Sequence, residues 1–404
     1  MTGALDGVRV LDLSRVLAGP WATQILGDLG AEVIKVERPG SGDDTRGWGP
    51  PSTDIEGQDF SAYYLVCNRN KQSIAIDISN PEGAALVRKL AAESDVLVEN
   101  FKTGGLAGYG LDYDSLRAIN PRLVYCSVTG FGQTGPYAKR GGYDFLVQGM
   151  GGLMSVTGET AEAPVKVGVP VIDLFTGLYA TIAIQAALRH RDQTGEGQHI
   201  DCALLDTSVA VLANQGMNWL IGGVTPSPMG NSHPNVVPYR TFAAADGHLI
   251  VAVGNDGQFA ALCRVLGRDD LATSSDYLTN ESRNRNRTTL EPELEREIAG
   301  WTSADLLAAM EAEGVPGGPI NRVNEVFADP QVQARGMVTP VAMGEQDVPQ
   351  VRFPAILSKA PATIRRAPPA LGADGAEVLQ GMGLSDTEML RLSKAGAVHL
   401  PVAK

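Results

Sequence analysis

Cysteine, histidine and positive charge are all scarce in this chain. Its 404 residues include 4 cysteines and 5 histidines, and 33 basic side chains against 46 acidic ones leave a net charge of −13. Cys67, Cys126, Cys202 and Cys263 lie far apart with no CxxC pair, so neither a disulfide framework nor a thiolate metal site is expected, and a reduced, cytoplasmic protein is. None of His190, His199, His233, His248 and His399 stands in an HExxH spacing or beside a GxSxG serine. That leaves no metal ligand set and no Ser–His–Asp hydrolase pattern. The acidic balance argues against nucleic acid or an anionic membrane as a partner, though small anionic ligands respond to local charge.

Long apolar runs are missing as well. The most apolar stretch, Leu174 to Leu188, is shorter than the roughly 20 residues a membrane-spanning helix needs, and it carries Thr176, Gly177 and Gln185. Met1 to Asp6 lacks the charged and apolar regions of a signal peptide.

With 44% apolar residues the chain can bury a large core. Short β-branched runs at Val8–Leu13, Glu32–Glu37, Ser73–Ile78, Asp95–Glu99 and Leu123–Val128 alternate with helical periodicity, and Asn80-Pro81 is a strong helix start. This pattern predicts a doubly wound α/β domain with a parallel sheet, whose ligands sit at the carboxyl ends of the strands. Ile221 to Pro238 reads as a linker rich in Gly, Pro, Ser and Asn. An α+β pattern follows, and Gly336 to Pro369 again lacks regular periodicity. The expected arrangement is a large domain (residues 1–222), an inserted smaller α+β domain (223–330), and a linker with a return to the large domain (331–404).

Three patterns carry chemistry. Gly130-Phe131-Gly132-Gln133-Thr134-Gly135 matches the GxGxxG dinucleotide fingerprint, but no apolar helix follows it and the acidic residue expected about 20 positions on is absent. Basic groups recur in loops at strand ends: Arg38, Arg46, Arg69, Lys71, Lys102, Lys139 and Arg140. Singly each reads as a solvated side chain; together they suit a phosphorylated ligand. Finally, Asp173 stands between a strand-like run, Val165 to Ile172, and an apolar helix to about Leu188. An aspartate there is a preferred N-cap, and it is also a poorly hydrated carboxylate suited to nucleophilic attack, expected to stay ionised beside the first helical amides.

The segments Val16-Leu17-Ala18-Gly19-Pro20, Asp28 to Pro39, Asn68-Arg69-Asn70-Lys71, Val98-Glu99-Asn100-Phe101, Thr194 to Gln198 and Gly254-Asn255-Asp256-Gly257-Gln258 resemble those of the class III CoA-transferases, in family order. Gly42 to Arg46, Trp48 to Pro51 and Gly317 to Asn321 look most like the succinate–hydroxymethylglutarate (glutarate) members. The resemblance implies an interlocked homodimer. It also implies an exchange of CoA between an acyl-CoA, with succinyl-CoA the expected donor, and a free acid, expected to be dicarboxylic. Coenzyme A would be a substrate, with no tightly bound cofactor. Asp173 would be the nucleophile that becomes an aspartyl-CoA thioester. Leu17, Ala18, Arg38, Asn68, Arg69, Asn70, Lys71, Asn100, Phe101 and Lys102 would line the CoA site, Tyr143 and Asp144 would lie near the thioester, and Gly257 and Gln258 would form a mobile covering loop.

Gly108 stands where many members carry a CoA-contacting arginine; Lys102 is the candidate substitute. Arg15 and Leu17 replace the His and Gln of formyl-CoA transferases, which points away from formate and oxalate. Arg15 and Arg46 are instead candidates to hold a second substrate carboxylate. Two alternatives stand beside this reading: a 2-methylacyl-CoA racemase, which needs an acid–base pair that Arg140-Gly141-Gly142-Tyr143-Asp144 does not supply, and a CoA-binding module without turnover.

Overall fold

The computed structural model describes residues 3–400, in two compact units. The larger comprises residues up to Leu153, then Lys166–Gly216, then the chain from Arg335; the smaller comprises Met154–Val165 and Met217–Ala334. The insertion therefore begins before the expected boundary at 222, and a short earlier excursion belongs with it.

In the larger unit, β1 (Arg9–Asp12), β2 (Glu32–Glu37), β3 (Lys71–Ile76), β4 (Val96–Glu99), β5 (Val124–Thr129) and β6 (His199–Ala203) run parallel in the order β3-β2-β1-β4-β5-β6. Val398–His399 adds an antiparallel edge beside β3. Successive side chains of a strand point to opposite faces. Accordingly Leu11, Ile34 and Leu97 pack on one side with Leu86, Val87 and Leu90 of helix α2 (Pro81–Ala92). Their neighbours Val10, Val33 and Val98 pack on the other, with Ala22 and Leu26 of α1 (Ala18–Asp28). Strand order reverses between β1 and β4, where a doubly wound sheet opens a crevice at its carboxyl edge.

Two helices end the approach to that crevice. Helix α3 spans Asp144–Met150 and α4 spans Val171–Thr194, followed by α5 (Leu204–Val211). No strand forms at 165–172, contrary to the β-branched pattern; Pro170, with no N–H to give a ladder and its φ fixed, instead caps a helix beginning at Val171. Asp173 is thus the third helical residue rather than the cap. The helix also runs past Leu188, so by length and apolar content alone it could cross a membrane. One of its sides is spent on the unit's own core through Ile172, Ala180, Ile184 and Leu188.

The stretch from Gly336 is not structureless. Val338–Met343 and Gln346–Val351 form a hairpin with Pro340 opposite Pro349. Its Met343 and Val348 pack with Phe60 and Tyr64 near a second hairpin, Ser52–Ile55 with Gln58–Ser61. A two-stranded ribbon has outer edges with no ladder to complete, so it tolerates prolines that obscure its period.

In the smaller unit, β7 (Tyr239–Ala244), β8 (Gly247–Ala252) and β9 (Gly317–Pro319) make an antiparallel sheet. Phe242, Leu249 and Val251 pack there with Phe259 and Leu262 of α6 (Asp256–Val265) and with Leu294 and Leu306 of two further helices.

Candidate active site

The loops after β1 and β4 are clasped to each other at the switch point. Asn100 Oδ1 accepts from Arg15 N (3.0 Å) and its Nδ2 donates to Arg15 O (2.6 Å). Val16 beside it has φ +71°, a left-handed conformation that β-branched side chains avoid, at a cost of about 1–3 kcal/mol. Its amide is taken by the buried Asp43 carboxylate at 3.2 Å. This strained turn directs Arg15, Leu17 and Ala18 to the wall of a cavity of about 430 Å³.

Asn100, Phe101, Lys102 and Thr103 form a second wall, Val128 to Gly130 at the end of β5 a third, and Arg140 to Tyr143 with Asp173 close it. Gly130 and Gly142 approach so closely that a Cβ on either would stand 2.4–2.5 Å from the other's Cα. The first glycine of the GxGxxG motif therefore serves this backbone contact, which brings Tyr143 to the cavity, and not a dinucleotide.

A neighbouring cavity of about 360 Å³ shares Arg15 and Phe101 and is lined further by Arg38, Ile78 and Tyr109. The two cavities together run from the end of β2 to Asp173.

Asp173 is partly accessible, and among the described residues its side chain accepts no hydrogen bond. Burial, then the like charge of Asp144, pushes its carboxyl up to about 7. That runs against the expectation of an aspartate kept ionised by the helix amides. The helical amides are not directed at it, because Asp144 Oδ1 accepts from Ile172 N (2.7 Å) and from Asp173 N (3.2 Å). Asp144 itself is buried under the helix start and does not line the cavity.

Several expected CoA contacts are structural instead. Lys71 Nζ is fully buried on Asp12 Oδ2 (3.0 Å), Pro20 O (2.9 Å) and Asn68 Oδ1 (3.1 Å). Arg69 is paired with Asp28 (2.6 Å), and Asn70 bonds Asp28 and Thr363 O, both at 2.8 Å. None of Asn68 to Lys71 reaches either cavity. Arg46 is likewise committed to Glu37 at 2.7 Å and stacks on Tyr64, so it is not free to bind a substrate carboxylate. Arg15 remains at the cavity, held by Asp44 Oδ2 at 2.6 Å with both side chains accessible.

Gly257 and Gln258 lie in the smaller unit, in the opening turn of α6. Asn255 Oδ1 accepts from Gln258 N (2.9 Å), and Gln258 Oε1 accepts from Gly254 N (2.7 Å). The buried Arg283 holds Asp256 at 2.8 Å and lies over Phe259.

Sequence reasoning missed Asp44, Trp48 and Thr103, which line the cavity, and Tyr63, whose phenol is pushed up to about 12 by burial and then by the charge of Asp173. Trp48 and Tyr63 meet edge-on at 5.1 Å. Tyr63 had no signal of its own, since Ala62-Tyr63-Tyr64-Leu65 reads as core.

Residues 5–375 match the model of CoA-transferase family III. The chain belongs to that family. It is 54% identical over 378 residues, 93% of this chain and 94% of the relative, to a succinate–glutarate CoA-transferase of Agrobacterium fabrum. It is 45% identical to the human succinyl-CoA:glutarate CoA-transferase over 98% of this chain and 90% of that one. Among solved structures, that of a CaiB/BaiF family protein from Brucella suis superposes with a TM-score of 0.85 at 53% identity, covering 95% of this chain and all of that one. The family's racemase chemistry is not favoured. Among the described residues no histidine lines the cavity, and both oxygens of Asp144 are engaged away from it.

Proposed function

We propose that this CoA-transferase moves CoA from succinyl-CoA to a free dicarboxylic acid of the glutarate or hydroxymethylglutarate type, through a thioester on Asp173. An Asp173 oxygen attacks the acyl carbonyl and CoA thiolate leaves, giving a mixed anhydride. The thiolate then attacks the Asp173 carbonyl carbon and succinate leaves, giving aspartyl-CoA. The acceptor carboxylate attacks that thioester, and the returning thiolate takes the acceptor's acyl group and frees Asp173. No net proton is exchanged, so neither a strong base nor a redox group is required.

The observation that carries the reading is Asp173 itself: a carboxylate of raised basicity that accepts no hydrogen bond among the described residues, at one end of paired cavities whose other end holds Arg38. Arg38 suits the CoA phosphates, and Leu17, Ala18, Asn100, Phe101 and Lys102 the pantetheine arm. Tyr143 flanks the thioester. Lys102 supplies a cation where Gly108 has none.

The reading is tested by incubation with succinyl-CoA and intact-mass measurement. An acyl or CoA adduct that hydroxylamine removes, absent from Asp173→Ala, is expected; no adduct on the native protein overturns it.

Arg15 is the residue to take the far carboxylate of the acceptor, displacing Asp44. Arg15→Ala is expected to lower the preference for dicarboxylates over monocarboxylates by about tenfold or more, the value of one charge-assisted bond. An unchanged ratio of kcat/KM between glutarate and butyrate would sink that assignment.

The chain assembles, in this reading, as a homodimer. Phe175, Leu178, Tyr179 and Ile182 on α4, Phe145 and Leu146 on α3 and Val209 on α5 are exposed apolar groups on three helices in contact, the surface a partner would cover. Twice the mass of a single chain is expected in light scattering.

A further inference from the structure

The free amides at the start of α4 are all used up inside the protein. Val171 N donates to Val169 O (2.8 Å) and Leu174 N to Pro170 O (3.2 Å). Between them the amides of Ile172 and Asp173 converge on Oδ1 of Asp144. Oδ2 of the same carboxylate accepts from Gln148 Nε2 at 2.6 Å, and Gln148 Oε1 accepts from Val167 N at 2.9 Å. Asp144 is 8% exposed and Gln148 not at all. One buried acid on α3, braced by its neighbour a turn later, thus fastens both the segment entering α4 and its first turn. Three N–H donors on two oxygens is the arrangement a carboxylate anion takes.

An aspartate in the first turn of a helix ordinarily gains from the unpaired amides and the positive end of the dipole, which favour its charged form and blunt its basicity. Here a second carboxylate has taken that stabilisation and stands as a like charge behind the nucleophile. We infer that Asp144 is a positioning residue for CoA transfer: it fixes the turn that aims Asp173 into the cavity and withholds the helix amides from it, keeping Asp173 more nucleophilic than a capping aspartate.

The inference rests on the reading of Asp173 as nucleophile. The other titratable or charged groups facing Asp173 are Tyr63 from the short helix Ala62–Leu65 and, around the cavity, Arg15, Asp44, Lys102, Arg140 and Tyr143. All of these are left unchanged in the test.

The test reads the single-turnover rate of adduct formation from succinyl-CoA by intact mass across pH 4–9, in the native protein and in Asp144→Asn. In the native protein the rate is expected to rise with pH around a midpoint near 7. In Asp144→Asn the midpoint is expected to fall by about one unit or more, with the plateau rate reduced about tenfold or more. KM for succinyl-CoA is expected to stay within about twofold, because Asp144 does not line the cavity. Asp144→Ser, a shorter neutral cap, gives the same downward shift should the asparagine variant fold poorly. A midpoint common to the native protein and either folded variant overturns the inference, as does a native midpoint near the ordinary aspartate value of about 4. Absence of any adduct on the native protein at every pH is a different result and removes the reading of Asp173 as the nucleophile.

Discussion

Asp173→Asn is expected to abolish CoA transfer, lowering kcat by about 10⁴-fold or more with the fold intact. The amide has no charge with which to open the thioester, and among the described residues the cavity offers no second carboxylate in its place except Asp44, which is held by Arg15. Binding should survive. Arg38, Phe101 and Lys102 do not depend on residue 173, so Kd for CoA by calorimetry is expected to stay within a few-fold of native. A variant that kept more than about a hundredth of native kcat would show that the chemistry passes through another group, and the aspartyl thioester would have to be given up.

The second large effect falls on stability. Lys71→Met removes the ammonium from a fully buried site while keeping its bulk, and is expected to cost about 3–5 kcal/mol in chemical denaturation. Asp12 sits under α1 with Thr23 Oγ1 at 2.6 Å and Lys71 at 3.0 Å. Burial opposes its charge, but Lys71, Lys35, Ser14 and Thr23 together hold its carboxyl below the usual aspartate range. Without Lys71 that charge lacks its nearest counterion. Adding Asp12→Asn to Lys71→Met should therefore recover part of the loss, a coupling that a double-mutant cycle reads directly. Additive losses would mean the two side chains act independently.

Those two residues also mark the boundary of what the chain discloses on inspection. Alternation of short β-branched runs with helices was enough to read a doubly wound sheet, and hence the edge where ligands sit. Asp173 is legible because an acid precedes a long apolar run and Lys102 because it is a basic group following a strand, whereas Arg15 and Leu17 are legible only through the resemblance to the family. Asn68 to Lys71 were misread for a physical reason. A basic cluster looks solvated unless its partners are seen, and here they are Asp12 and Asp28, 59 and 41 positions away from Lys71 and Arg69. The helix start was misread in the same way. Val165 to Ile172 has strand-like composition, and the acceptor that takes up the first free amides of the helix is Asp144, 28 positions before Ile172. Local pattern reports local preference; pairings between distant charges lie outside it.

The return of the chain to the larger unit has a consequence for how the protein is made. Asn70 Oδ1 accepts the amides of Arg365 and Arg366, Ser73 N donates to Asp374, and Val398–His399 pairs with the outer edge of β3. During vectorial synthesis the ribosome therefore delivers the whole smaller unit before the strand that seals this sheet exists. A nascent chain stalled or cleaved before residue 365 leaves β3 with an open edge, the kind of surface on which neighbouring polypeptides join. Completion of this sheet accordingly turns on residues 365–399, although none of them lines either cavity.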